Sequence, residues 1–350
     1  MIFSYNGDSS FIPIILRRFF IMKRILAIIL SIIMVLSLAA CGTASTNSDG
    51  EPQGAKAMSM GTGSPTGTYY AYGGVIGQYI KNYADISVNA VSTGGSKDNI
   101  QGIDVKDYAL GTVQSDVMHY AWNGTRAFET DGKINTFRTV AGLYAEAVQL
   151  VTTNPNVKTV ADLKGKKVSI GAPGSGVYFN AIDILGAAGL TEKDINPQYQ
   201  NFDQSADALK DGKIDAAFIV AGAPTPAITE LCMTNAKTRI VPIDGAIADK
   251  LMKDNTFYSV YKIPAKSYNN QDTEVTTVTV KATLIVSADA TEDDVYKITK
   301  AIFDNTSDIT KEHAKGAELS LQNATEGLTV PFHAGAAKYF KEKGIEVATK

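Results

Sequence analysis

Three short segments of the chain gather glycine, hydroxyl side chains and turn residues at the places where apolar runs give way to amphipathic ones. They are Gly61-Thr62-Gly63-Ser64-Pro65-Thr66-Gly67-Thr68, Ser92-Thr93-Gly94-Gly95-Ser96 and Ala172-Pro173-Gly174-Ser175-Gly176. Glycine lets a ligand come close to the backbone, hydroxyls add donors, and the unpaired N–H groups at a helix start favour an anion. A plainer reading is open at each one: glycine and serine also turn the chain and cap helices with no ligand involved. Two such segments before Tyr108 and one after Lys167 favour a cleft between two lobes.

Other chemistries lack their residues. Gly61-Thr62-Gly63 is followed by Pro65 where a dinucleotide fingerprint needs glycine, and no Gly-Lys-Ser/Thr stands there for a phosphate loop. No Gly-x-Ser-x-Gly elbow occurs, and Ser175 has no evident histidine partner, so no catalytic residue is expected. The carboxylates of Asp293 and Asp294 fall at an expected helix start, where capping and the helix dipole explain them. Two cysteines and the scattered His119, His313 and His333 leave too few ligands for a soft-metal site, so neither metal nor cofactor is expected. A net charge of -3 gives no footprint for a nucleic-acid backbone.

The elements that must position these loops follow from the patterning. In 350 residues, 45% hydrophobic and 20% charged, there is material for about two domains at ~100–200 residues each. From Ala57 onward short apolar runs alternate with longer amphipathic ones, which predicts an α/β protein with helices over mainly parallel sheets. Strands are expected at Ala57–Gly61, Ile86–Val91, Tyr108–Val113, Lys167–Gly171 and Ala216–Val220. Helices are expected at Tyr69–Tyr83, Ser96–Ile103, Ser115–Trp122, Gly176–Ala188, Gln204–Asp211 and Asp293–Asn305.

The N-terminus addresses the compartment. Lys23 and Arg24 precede the mostly apolar run Ile25 to Ala40, which is shorter than the ~20 residues that cross hydrocarbon and ends in small residues. That pattern is an export signal, and Leu38-Ala39-Ala40-Cys41 resembles a bacterial lipobox, which implies lipid on Cys41. Residues 1–40 are then an upstream extension plus signal, and their loss lowers 33 basic residues to 29 and 36 acidic residues to 35. Residues 41–55 read as a flexible tether to the outer face of the cell membrane. Cys232 would have no disulfide partner and reads as a small core residue.

Taken in order, the motifs resemble the TAXI family of TRAP-transporter solute receptors (TRAP-associated extracytoplasmic immunogenic proteins). The matching pieces are GTGSPTGTYY at Gly61–Tyr70, STGGS at Ser92–Ser96, Gln114-Ser115-Asp116, Leu143-Tyr144-Ala145-Glu146 and DLKGKKVSIGA at Asp162–Ala172. Asp211-Gly212-Lys213-Ile214-Asp215-Ala216, Gly222-Ala223-Pro224 and TVPFHAGAAKYFKEKG at Thr329–Gly344 complete the series. The resemblance implies a two-lobe fold like that of type II periplasmic binding proteins, with the ligand cleft between lobes. Lobe one would be 56–146 plus 281–350 and lobe two 147–280, joined by crossings near Leu143–Thr152 and Val275–Val286. It also implies a monomer that binds a small anionic or zwitterionic solute, glutamate-like or 2-oxo acid first, and delivers it to TRAP membrane subunits. The residues carried over for the ligand are Ser64, Thr66, Thr68, Tyr69, Ser92, Thr93, Gly94, Gln114, Tyr144, Ser175 and Gly176. Pro65-Thr66 and Ala223 depart from the family's usual residues, so the pocket differs from that of glutamate-binding members. A receptor that feeds a signalling partner, or an exported enzyme acting on a small acid, are the alternatives from other classes.

Overall fold

The computed structural model describes residues 57–350. The expected signal, lipid attachment at Cys41 and tether lie outside the described residues. In chain order the elements are β1 (Ala57–Gly61), α1 (Thr68–Ala84), β2 (Ser87–Val91), α2 (Ser96–Asp104), β3 (Leu110–Gln114), α3 (Ser115–Asn123) and β4 (Phe137–Thr152). Then come β5 (Lys167–Ser169), α4 (Val177–Ala187), β6 (Asn196–Gln198), α5 (Phe202–Lys210), β7 (Ala216–Ala221), α6 (Pro226–Thr234), β8 (Arg239–Val241), α7 (Gly245–Asp254) and β9 (Ser259–Ile263). The chain closes with β10 (Val275–Ser287), α8 (Glu292–Phe303), α9 (Thr306–Glu312), α10 (Leu321–Thr325) and α11 (Ala334–Glu342).

All ten strands join one sheet in the order β2-β1-β3-β10-β4-β7-β5-β6, with β8 on β4 and β9 on β10. Two strands are far longer than the rest. β4 pairs with β10 over Phe137–Ala147 and with β7 over Ala147–Thr152, so it leaves one half of the sheet and enters the other at Ala147. β10 runs back against it, pairing with β9 up to Thr279 and with β3 from Ala282. The fold is therefore the expected α/β type with two halves and a cleft between them.

One expectation needs correction. The outer strands β1, β2 and β3, and likewise β5, β6 and β7, pair in parallel, but β10 is antiparallel to β3 and β4, and β4 is antiparallel to β7. The sheet is mixed because a chain that crosses by one strand and returns by another lays the two head to tail.

Composition follows this layering. The central strand β7, AAFIVA, is buried throughout, whereas edge strand β2 exposes Ser87 and Asn89, as expected for strands covered on both faces and on one. α1 turns Thr68, Tyr72, Gly73, Ile76, Gly77 and Ile80 inward, the one-sided stripe of a helix laid on a sheet. A side-chain carbon at Gly73 would stand 3.1 Å from Thr62 Cγ2 and 3.2 Å from Met60 Cε, so a larger residue there would make these neighbours give way by a few tenths of an ångström.

Tyr72, Ile76 and Ile80 share their core with Met60, Leu284, Ile298 and Phe340, from β1, β10, α8 and α11. The other half has its own core, where Val168, Ile184, Phe218 and Val241 meet. Cys232 is free and buried beside Leu231 and Ile228, the core role expected of it. Thr291 caps α8 by accepting from Asp294 N, and the Asp293 carboxylate pairs with Lys297 one turn on at 2.5 Å. His333 caps α11, its Nδ1 accepting from Gly335 N, and its Nε2 lies 3.1 Å from Ala290 O.

Candidate functional site

All three glycine and hydroxyl loops end at helix starts beside the line where β4 and β10 cross. Between them lies a narrow cavity of about 50 Å³. One half contributes Ser64, Thr68 and Tyr69 at the start of α1, Thr93, Gly94 and Ser96 before α2, Gln114 at the end of β3 and Glu146 on β4. The other contributes Ser175, Gly176 and Val177 at the start of α4, Asn201 and Phe202 at the start of α5, and Val220 and Ala221 at the end of β7. Ligands gather at such strand ends because helix starts converge there.

Of the residues expected at the ligand, Ser64, Thr68, Tyr69, Thr93, Gly94, Gln114, Ser175 and Gly176 line this cavity. Thr66, Ser92 and Tyr144 do not. Thr66 Oγ1 bonds to Asp203, and its carbonyl accepts from Ala227 N at 3.1 Å, so it ties the α1 loop to the opposite half. Ser92 Oγ donates to Gly63 O at 2.9 Å and closes one loop on the other. Tyr144 is buried in the core, its ring edge to face with Tyr72 at 5.3 Å.

Most of the lining hydroxyls are also occupied. Thr68 Oγ1 donates to Gly222 O at 2.9 Å, Ser64 Oγ donates to Asp203 Oδ2 at 3.2 Å, and Thr93 Oγ1 donates to Asn99 Oδ1 at 2.7 Å. These groups fix the loops. Ser175 Oγ donates to Ala172 O at 2.7 Å, which leaves its lone pairs. It is not the helix cap, because Gly176 holds that position and α4 starts without a side-chain cap. α1 likewise starts from Gly67 without one, so both helices that begin at the cavity lining do so without a side-chain cap.

The start of α2 is used differently. Gly174 O accepts from Lys97 N and Asp98 N across the cleft, and Asp98 Oδ2 accepts from Gly94 N at 3.0 Å. The second loop thus spends its helix N-terminus on contact between the halves.

The strongest polar feature escaped the sequence reading. Glu146 is 1% exposed and lines the cavity, and the Tyr69 hydroxyl donates to its Oε1. Burial pushes its carboxyl up to about 8, while Tyr69 and Gln114 draw it back down. Burial first, then Glu146, hold the Tyr69 phenol well above its ordinary range. The Leu143-Tyr144-Ala145-Glu146 stretch held the signal: a carboxylate inside an otherwise apolar run needs a buried partner. Tyr70, the neighbour of Tyr69, is 38% exposed.

A second polar cluster crosses the halves away from the cavity. Asn180 donates to Asp116 Oδ2 at 3.1 Å, Arg126 pairs with Asp183 at 2.6 Å, and Asn255 donates to the Tyr120 hydroxyl at 3.0 Å. Burial pushes the Asp116 carboxyl up to about 7.

The NMT1-like family matches residues 60–344, which includes every loop of this site. The chain belongs to the NMT1-like family. Solved structures resemble this member of the family in outline. A protein from Bordetella bronchiseptica RB50 has a TM-score of 0.51 at 16% identity, covering 82% of this chain and 89% of its own. The alkanesulfonate-binding protein SsuA from Xanthomonas axonopodis pv. citri, bound to MOPS, gives 0.48 at 16% identity over 84% and 92%. A periplasmic binding protein of Salmonella typhimurium with high arginine specificity gives 0.46 at 14% identity over 75% and 99%. At such identities the likeness to the Bordetella protein concerns the fold.

Proposed function

We propose that this member of the NMT1-like family is an extracytoplasmic receptor that captures a small organic acid or amino acid, glutamate-like or 2-oxo acids included. It holds the solute unchanged between its two halves and hands it to TRAP-type membrane subunits. The observation that carries this reading is the cavity between the halves, where two helix starts without side-chain caps face buried polar groups. Uncapped N–H groups and the helix dipole suit a carboxylate. The cavity, about 50 Å³, is several times the roughly 10–15 Å³ that one water needs on the same measure, which leaves room for a small solute.

The order of motifs from GTGSPTGTYY to TVPFHAGAAKYFKEKG supports the TRAP partnership, and Leu38-Ala39-Ala40-Cys41 supports a lipid anchor. Mass spectrometry of the solute co-purified with the protein identifies the ligand. A carboxylate at 1,000 times its Kd should stabilise the protein by about 4 kcal/mol. That corresponds to a rise in Tm of several degrees, at roughly 2–4 °C per kcal/mol. Shifts with sugars or bases but none with carboxylates would refute the solute class. Labelled lipid persisting on the Cys41→Ser protein would refute the anchor.

A further inference from the structure

Among the described residues no lysine, arginine or histidine lines the cavity, and its one carboxylic acid is Glu146. Lys315 acts on Glu146 electrostatically, but its ammonium is committed to Glu318 Oε1 at 2.6 Å. A second buried acceptor lines the cavity beside Glu146. Oε1 of Gln114 is shut from solvent without a hydrogen-bond partner, and Gln114, 2% exposed, lines the same cavity. A buried acceptor left unpaired is costly, and more so beside a carboxyl that is itself desolvated. A ligand that brings N–H donors and a positive charge removes both costs. A carbonyl or a second carboxylate brings neither.

We propose that Glu146 and Gln114 select a solute bearing an ammonium group, so that the cavity takes a small amino acid in preference to the 2-oxo acid of the same carbon skeleton. This rests on the receptor reading above and narrows its solute class. The carboxylate of the amino acid would meet the starts of α1 and α4, and its ammonium would meet Glu146.

The selection has a proton signature. The groups that face Glu146 are Tyr69 from α1, Gln114 from β3, Tyr144 from its own strand, Asp116 from α3 and Lys315 from the 3-10 turn Ala314–Glu318. With its carboxyl raised to about 8, Glu146 is mostly protonated in the empty cavity at neutral pH. An incoming ammonium favours the carboxylate, so the O–H bond of Glu146 breaks and its proton passes to the buffer, while the ammonium keeps its own. A 2-oxo acid gives Glu146 no reason to ionise, and the proton stays.

The test is titration calorimetry of the purified protein with two matched pairs, L-alanine against pyruvate and L-glutamate against 2-oxoglutarate. Buffers of different ionisation heat report the protons released. At least one amino acid should bind tenfold or more tighter than its 2-oxo partner, about 1.4 kcal/mol. It should release protons on binding and bind more tightly as the pH rises from 6 to 8. Glu146→Gln should abolish the release and erase the preference. A 2-oxo acid binding as tightly as its amino acid, or an amino acid binding to the wild-type protein without proton release, overturns the inference and leaves the receptor reading standing, even if Glu146→Gln does not fold. A panel in which none of the four acids binds, while a solute of another class does, overturns both.

Discussion

The carbonyl oxygen of Gly174 accepts from the backbone N–H of Lys97 at 3.0 Å, so a loop of one half closes the first turn of a helix in the other. Asp98 N reaches the same oxygen at 3.3 Å. Gly174 holds φ at 79°, and a side-chain carbon there would stand 1.9 Å from Asp98 Oδ1. The two halves meet at this point through backbone alone, with no room for a side chain.

From this contact we predict that Gly174→Ala opens the cleft. The left-handed backbone costs an alanine about 1–3 kcal/mol, and the clash with Asp98 adds to it. Ligand-free melting should fall and solute affinity should weaken together. Wild-type affinity and an unchanged melting point would show that the contact is dispensable.

Stability of the ligand-free protein should fall as pH rises. Burial raises Glu146 from 4.5 to about 8 and Asp116 from 3.8 to about 7. Between each pair of values the folded protein keeps a proton that the unfolded chain has lost, so unfolding releases protons and a higher pH favours it. The slope should flatten above about 8. Denaturant titrations across this range should show Glu146→Gln and Asp116→Asn each removing part of the slope. Equal slopes in wild type and both variants would rule out the buried carboxyls as its source.

Removing the Ser175 hydroxyl should have two separable effects. Its bond to Ala172 O holds the loop before α4, and losing it should cost about 0.5–1.5 kcal/mol of ligand-free stability. Ser175 also lines the cavity, so Ser175→Ala should weaken binding of a charged solute as well, by roughly 10- to 150-fold for a bond of about 1.5–3 kcal/mol. Parallel melting and ligand titration separate the two. Lower stability with unchanged affinity would confine Ser175 to holding the loop.

Cys232 should stay silent toward thiol reagents in the folded protein. It is buried, and burial pushes its thiol up to about 11, whereas the thiolate is the reactive form. Reaction should follow the unfolding curve in denaturant. Rapid labelling in native buffer would show that this part of the core opens locally.

Thr66, Ser92 and Tyr144 show where reading the sequence reaches its end. Their residue types mark them as polar and close to the cleft, and all three do lie in loops or strands next to it. What each side chain meets depends on residues far along the chain: Thr66 Oγ1 bonds to Asp203, Ser92 Oγ donates to Gly63 O, and the Tyr144 ring packs edge to face on Tyr72 while its hydroxyl is buried without a partner. Glu146 shows the converse. Its importance comes from Tyr69 and Gln114 meeting it in a space closed to water, and burial is a property of the assembled chain.

The sequence by itself determined the alternation of strands and helices and the placing of glycine-rich loops at helix starts, while the two crossings followed from the family resemblance. The alternation and the loops rest on local apolar runs and backbone freedom; β1 at Ala57–Gly61 and β7 at Ala216–Ala221 can be read from their residues alone. The short strands β6 and β8, three residues each, carry too little local pattern and exist because longer neighbours pair with them. Only the tertiary structure decided that the second loop, besides lining the cavity, would join the halves through Gly174, and that Glu146 would be the buried carboxyl of the site. Both outcomes follow from long-range contacts that remove water from particular groups, and no local spacing encodes that.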